Sequence, residues 1–188
     1  MSTTLHVPLS AQDHVQGPPD APVTLVEYGD YQCPYCYQAY PIVQELQRRL
    51  GDQLRVVFRN FPLTEIHRHA LHAAIAAESV GAQLGNDAYW RMHDMIYEHQ
   101  QDSPTALSDA SLVAYGTAVG ADAARLMRDL ESEAFVKHIE ADFNGGVRSG
   151  VNGTPTFFIN GERYDGNWTD ADTFARDLAR HAHPTAAR

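Results

Sequence analysis

Cysteine is nearly absent: two occur in 188 residues, both inside Cys33-Pro34-Tyr35-Cys36. A four-cysteine zinc site needs a second pair, and there is none. Basic residues are also scarce, with 14 Lys and Arg against 24 Asp and Glu for a formal net charge of −10. So acidic a chain, with no Lys/Arg run, is not built to hold nucleic-acid backbones or anionic membranes. No stretch is long and apolar enough to span a bilayer. Met1 to Gly17 lacks the basic and apolar regions of a secretory leader, which leads us to expect a cytoplasmic protein. In that compartment a disulfide is more often catalytic than structural. There is no internal repeat or low-complexity tract. The hydrophobic content of 44% over this length suits one soluble domain spanning 1–188.

The cysteines sit where an apolar strand, Val23 to Tyr28, gives way to a helical pattern from Pro34 to Leu50. Thiols at i and i+3 can close a disulfide or stay a dithiol. Cys33 at the helix mouth faces unpaired N–H groups and the positive end of the dipole, which favour thiolate. Pro34 suits the first helical position. Cys33 is therefore the expected nucleophile, and Cys36, one turn inside, the resolving thiol. A structural disulfide over so short a loop would constrain the unfolded chain little.

Residues 1–21 read as an extended lead-in. Pro41 falls within the first helix and should kink it. Leu54 to Phe58 reads as a second strand. From about 64 to 149 the pattern is helical, with alanine-rich His67 to Leu84, Asp87 to His99, and segments opening near Ser108, Asp122 and Ser132. Phe135, Ile139 and Phe143 recur at every fourth position, as a core-facing stripe does. Thr156 to Ile159, Asn160-Gly161 and Glu162 to Tyr164 form a hairpin signal, and a last helix covers roughly Asp170 to His181. The order is β-α-β, a helical block, then β-β-α.

Glu27 interrupts the first strand. A buried acid there is costly unless it works or is paired, and the plain alternative is a strand-edge Glu facing solvent. His67, His69 and His72 lie close in sequence, and His69 and His72 could share a metal, but such histidines are more often exposed or capping, so no metal is expected. Gly145-Gly146 and Ser149-Gly150 lack the lysine and strand of a phosphate loop.

This α/β order, with the Cys-x-x-Cys after the first strand and Pro155 before the third, resembles the thioredoxin fold carrying the helical insertion of the DsbA-like family, from about Asp20 to Ala179. The likeness is to bacterial members with a Cys-Pro-Tyr-Cys centre. It rests on Val26-Glu27-Tyr28-Gly29-Asp30-Tyr31-Gln32-Cys33, Phe61-Pro62-Leu63, Trp90 to Asp94, and Gly150 through Gly161. Pro41 also matches, five residues after the second cysteine. The resemblance implies thiol–disulfide exchange without an organic cofactor, on protein thiols and disulfides or glutathione, by a monomer. It implies a cis Thr154-Pro155 bond beside the cysteines, where residue reading alone leaves Pro155 a strand-edge turn proline. Thr154, Pro155, Pro34 and Tyr35 would then contact substrate, and Glu27 would pass protons to and from the resolving thiol through water. Strongly oxidising relatives carry His where Tyr35 stands, so a less oxidising, reductase-like or glutathione-coupled exchanger is expected. The rivals are a zinc or iron–sulfur module on Cys33 and Cys36, and a peptide-binding holdase working through the helical block.

Overall fold

A computed structural model describes residues 3–182; residues 1–2 and 183–188, including Met1 of the leader argument, lie outside the described residues. The centre of the molecule is β2, Val23–Gly29, buried at all seven positions. Val, Leu and Tyr on both faces fit a strand covered from both sides. It pairs in parallel with β3, Leu54–Asn60, and antiparallel with β4, Thr156–Ile159. The hairpin partner β5, Glu162–Tyr164, forms one edge, and β1, His14–Gln16, the other, giving the order β1-β3-β2-β4-β5.

Strand β1 corrects the expected plain lead-in. His-Val-Gln is too short to show a period, and it becomes a strand only by pairing antiparallel with β3, Val15 opposite Val57. Helix α1, Pro34–Leu50, includes Pro41 and buries Cys36, Ala39, Val43 and Leu46. Between β3 and β4 lie α2, Ala70–Leu84, α3, Asn86–His99, α4, Asp109–Val119, α5, Ala123–Glu131, and α6, Val136–Arg148. Helix α7, Ala171–Ala182, follows the hairpin. These are the thioredoxin elements, with helices inserted between the two β units.

Ser108 and Asp122 cap α4 and α5, each accepting from a backbone N–H three residues on. Ser132 instead closes α5, correcting the helix expected to open there. The chain turns through Glu133 and Phe135, both at positive φ, before α6 starts. Phe135 thus precedes the helix, and the expected stripe serves two cores: Phe135 and Ile139 join the larger one, while Phe143 packs against the smaller and stacks on Phe61 at 4.3 Å. Helix α2 also starts late, at Ala70 rather than His67, because the preceding residues are drawn into bonds around Asp30.

The two cores occupy opposite faces of the sheet. Val23 and Leu25 face one together with Cys33 and Cys36, and Val26 and Tyr28 face the other. By alternation, Glu27 is on the face of the cysteines.

Two glycines separate conformational from steric cost. Gly161 has φ +86 with nothing near an added Cβ, whereas a Cβ on Gly29 would collide with the Phe58 ring. In denaturant unfolding Gly161→Ala should lose about 1 kcal/mol, from left-handed backbone alone. Gly29→Ala should lose more, about 2–3 kcal/mol, from overpacking.

Candidate active site

The loop from β2 to α1 is built around Asp30, whose side chain is buried. Its Oδ1 accepts from the Gln32 N–H at 2.7 Å, and Oδ2 accepts from the Leu63 N–H and lies beside His67 Nδ1, both at 2.8 Å. Its carbonyl accepts from the Cys33 N–H at 3.0 Å and the Tyr97 hydroxyl at 3.3 Å. Gln100 Nε2 donates to the carbonyls of Tyr31 at 2.7 Å and Cys33 at 3.2 Å. Tyr97 and Gln100 belong to the α3 region, so the inserted helices fix the start of α1.

Cys33 is the N-cap of α1 and Pro34 its first residue. Both cysteines are free thiols, with 3% of Cys33 and none of Cys36 exposed. Cys33 Sγ donates to the Thr154 carbonyl at 3.4 Å, and the Asp30 N–H donates to Cys36 Sγ at 3.4 Å. The Thr154–Pro155 bond is cis. Cys33, Cys36, Thr154 and Pro155 therefore converge, while Tyr35 projects outward, 60% exposed.

The thiols are driven apart electrostatically. Cys33 is lowered to about 5, chiefly by a hydrogen bond from the Cys36 thiol. Burial opposes this, and the Thr154 hydroxyl and the N–H groups of Cys36 and Tyr35 add to it. Thr154 Oγ1 is buried without a partner. The helix mouth contributes as expected, but the leading stabiliser is the neighbouring thiol. Cys36 is pushed well up by burial, by its bond to Cys33 and by the charge of Glu27.

Glu27 is 4% exposed, opposite Phe58 and Phe157 in the sheet, which removes the solvent-facing alternative. Burial, then the Cys33 charge, raises it to about 8. It lines a cavity of about 10 Å³ with Tyr40, Trp90, His93, Asp94 and Tyr97, a space on the scale of one water. Trp90 Nε1 is buried there without a partner. Burial lowers His93 to about 3 and raises Asp94 to about 6, leaving a neutral imidazole and a second titrating acid at this cavity.

The histidines grouped in sequence disperse. His67 serves Asp30, the His69 N–H donates to Gln32 Oε1 at 2.6 Å, and His72 Nδ1 pairs with Asp109 at 2.7 Å. The roles of Asp30, Gln100 and the Thr154 hydroxyl were missed, since each depends on a partner remote in sequence. An acid two residues after an apolar strand and three before the first thiol was the available signal for Asp30.

The thioredoxin family profile matches residues 9–175. Among solved structures, oxidised BdbD from Bacillus subtilis superposes with a TM-score of 0.84 at 25% identity, covering 97% of this chain and 99% of that one. A thioredoxin-like oxidoreductase from Silicibacter pomeroyi DSS-3 gives 0.73 at 27% identity, covering 94% and 95%. The Na(+)/H(+) antiporter NhaA 1 of Salinispora arenicola is 43% identical over 157 residues, 84% of this chain but 23% of that protein. The chain thus spans about a quarter of the length of such relatives.

Since the Cys36 thiol is the leading stabiliser of the Cys33 thiolate, Cys36→Ala should raise the Cys33 pKa toward an ordinary thiol, as ultraviolet thiolate absorbance against pH will read. Glu27 and Cys33 also act oppositely on stability. The folded pKa of Glu27 lies above its unfolded value, so its stabilisation is full below pH 4.5 and lost as pH rises toward about 8. The folded pKa of Cys33 lies below its unfolded value, so its stabilisation is present above 9.0 and lost as pH falls toward about 5. Only the reduced protein carries both. The oxidised protein should lose stability with rising pH across neutrality, by at most about 1.4 kcal/mol per unit. The reduced protein should be flatter, and Glu27→Gln should remove the oxidised slope. Denaturant midpoints of both redox forms against pH check this.

Proposed function

The chain belongs to the thioredoxin family and is a thiol–disulfide oxidoreductase, and from that premise we propose that it works as a reductase-like exchanger, with Cys33 as nucleophile and Cys36 as resolving thiol. The observation that carries this assignment of roles is the divergence of the two sulfurs, Cys33 lowered to about 5 and Cys36 pushed up in the same pocket. At neutral pH one sulfur is already nucleophilic, and the other is held protonated until needed.

In the reducing direction the Cys33 thiolate attacks one sulfur of a substrate disulfide. A Cys33–substrate bond forms, the substrate S–S bond breaks, and the departing sulfur leaves as thiolate and takes a proton from solvent. Glu27 accepts the Cys36 proton, directly or across the small cavity beside it. Cys36 then attacks Cys33 Sγ, forming the Cys33–Cys36 disulfide and releasing the second substrate thiolate. The protein loses two electrons and the substrate disulfide gains them. A dithiol or two thiols such as glutathione restore the reduced pair by the reverse steps. A general base with a pKa of about 8 is suited to a proton that must move both ways near neutrality.

Thr154 lies at the sulfur with its carbonyl, and an extended substrate segment can pair with backbone at this position as an added strand does. Exposed Tyr35, with Pro34, supplies apolar surface next to the reacting sulfur. The match to the antiporters covers about a quarter of their length, and among the described residues no helix is long and apolar enough to cross a membrane. In this proposal the protein is a cytoplasmic monomer whose partners are protein thiols and disulfides, with glutathione.

The reductase-like poise is supported by Tyr35, which stands where strongly oxidising family members carry a His and so places no cation beside the Cys33 thiolate. A less stabilised thiolate makes a less oxidising disulfide, since the reduced form gains less from ionisation.

Two experiments test the assignment. Cys36→Ser should accumulate mixed disulfides through Cys33, and Cys33→Ser almost none; equal trapping by both would defeat the division of roles. Equilibration with glutathione should give a potential nearer roughly −200 to −230 mV than about −120 mV. Tyr35→His should move it toward the oxidising end, because an imidazolium favours the thiolate. A wild-type potential near the strong-oxidant value would make the protein an oxidase.

A further inference from the structure

His14, Glu78 and His138 are 64 and 60 residues apart in sequence, yet each brings a ligand atom within 4.8 Å of the other two. They come from β1, α2 and α6. His14 Nε2 is 2.8 Å from Glu78 Oε2, and His138 Nε2 is 3.6 Å from Glu78 Oε1 and 3.9 Å from Asp142 Oδ2. The group is separate from the cysteines and takes no part in the exchange described above.

The positions are built. The His14 ring stacks on Tyr89 with centroids 3.4 Å apart, and a Cβ on Gly81 would crowd both His14 and Tyr89, so a residue without a side chain makes room for the stack. Asn60 Nδ2 donates to Glu78 Oε1 at 2.8 Å and the Asn60 N–H to Asp142 Oδ2 at 3.0 Å, which orients both carboxylates. Such a supporting shell is what metal ligands require. Asn60 is 1% exposed, and its Oδ1 has no partner.

Two acids and two histidines share this place: Glu78 is 5% exposed, with half-buried Asp142 close by and both His14 and His138 within ion-pair distance. The nearby Arg59 does not bond them: its five donors go to Asp13, the carbonyls of Val7 and Pro8, and the Tyr28 hydroxyl. Beside the cluster is a cavity of about 90 Å³, with His138, Asp142 and Arg59 among its walls, large enough to admit an ion with water.

We propose that His14, Glu78 and His138 form a binding site for a divalent transition-metal ion of the zinc type, with Asp142 or water completing four-coordination. Two imidazoles and a carboxylate suit zinc, cobalt or nickel and are poor ligands for calcium or magnesium. Tetrahedral bonds of about 2.0–2.2 Å place ligand atoms roughly 3.3–3.6 Å apart, so the His14–Glu78 pair at 2.8 Å would open slightly and the ligand atoms lying farther apart, up to 4.8 Å, would close. The bound ion would cross-link β1 to α2 and α6, holding the sheet-edge strand to the inserted helices, and stabilise the fold by mass action.

The test uses the full chain carrying Cys33→Ser and Cys36→Ser, so that no thiol can hold metal. Equilibrium dialysis against zinc should give one bound equivalent, and cobalt should show ligand-field absorption without thiolate charge transfer. Excess zinc should raise the melting temperature, while calcium and magnesium should not. Adding His138→Ala, at a part-exposed side chain, should weaken zinc binding roughly tenfold or more. No zinc bound by the double-serine protein, unchanged affinity after His138→Ala in a folded variant, or an equal melting shift with calcium would each overturn the proposal. The cobalt spectrum needs no further substitution, so it decides even if the histidine variant fails to fold.

Discussion

One buried carboxylate organises the reactive end of this molecule. Asp30 follows the central strand, and through its main chain and side chain it reaches six groups: both cysteines, Gln32, Leu63, His67 and Tyr97. A charged group with 1% exposure would be very costly alone, and three charge-assisted contacts on its two oxygens offset that cost. The consequence is positional. The Cys33 N–H bond sets where α1 begins, and the bonds to Leu63 and His67 delay the start of α2. The helical insertion is therefore part of the active-site loop's support.

Within that frame the chemistry follows from unequal desolvation. Cys36 and Glu27 are both buried and both resist ionising; the charge of Glu27 raises Cys36, and the charge of Cys33 raises Glu27. Cys33 escapes because the Cys36 thiol, the Thr154 hydroxyl and two backbone N–H groups stabilise its thiolate. Protonation of Cys36 and ionisation of Cys33 are thus one arrangement: a hydrogen bond that lowers the acceptor sulfur raises the donor. Closing the disulfide removes the anion, relieves Glu27 of its second-largest perturbation and leaves burial as the main cause of its raised pKa. The acid is therefore sensitive to redox state, which a proton carrier for this reaction requires.

The parts legible in the sequence are those governed by local rules. Helix α1 can be read from Pro34 to Leu50 because the proline at N1 and the glycine after its end are sequence signals of helix boundaries. The hairpin can be read because Asn160-Gly161 takes positive φ at both positions. Cys33, Cys36 and Glu27 could be placed because strand–turn–helix spacing and one acid in an apolar run are local facts. Strand β1, the late start of α2 and the end of α5 at Ser132 could not. The first two are decided by a partner elsewhere in the chain, β3 and Asp30, and the third by the positive-φ turn through Glu133 and Phe135 that no residue type there announces.

The histidines show the same limit most sharply. His67, His69 and His72 look like a ligand cluster because they are adjacent in sequence, but a helix start and three separate partners pull them apart. His14 and His138 look unrelated, one in a polar lead-in and the other in a surface-patterned helix. They meet because β1 is drawn onto the edge of β3 and α6 packs across the same end of the sheet, with Glu78 of α2 between them. Metal-binding potential here is a property of tertiary assembly. The order of strands that was hardest to read, β1 beside β3, is the one on which that site depends.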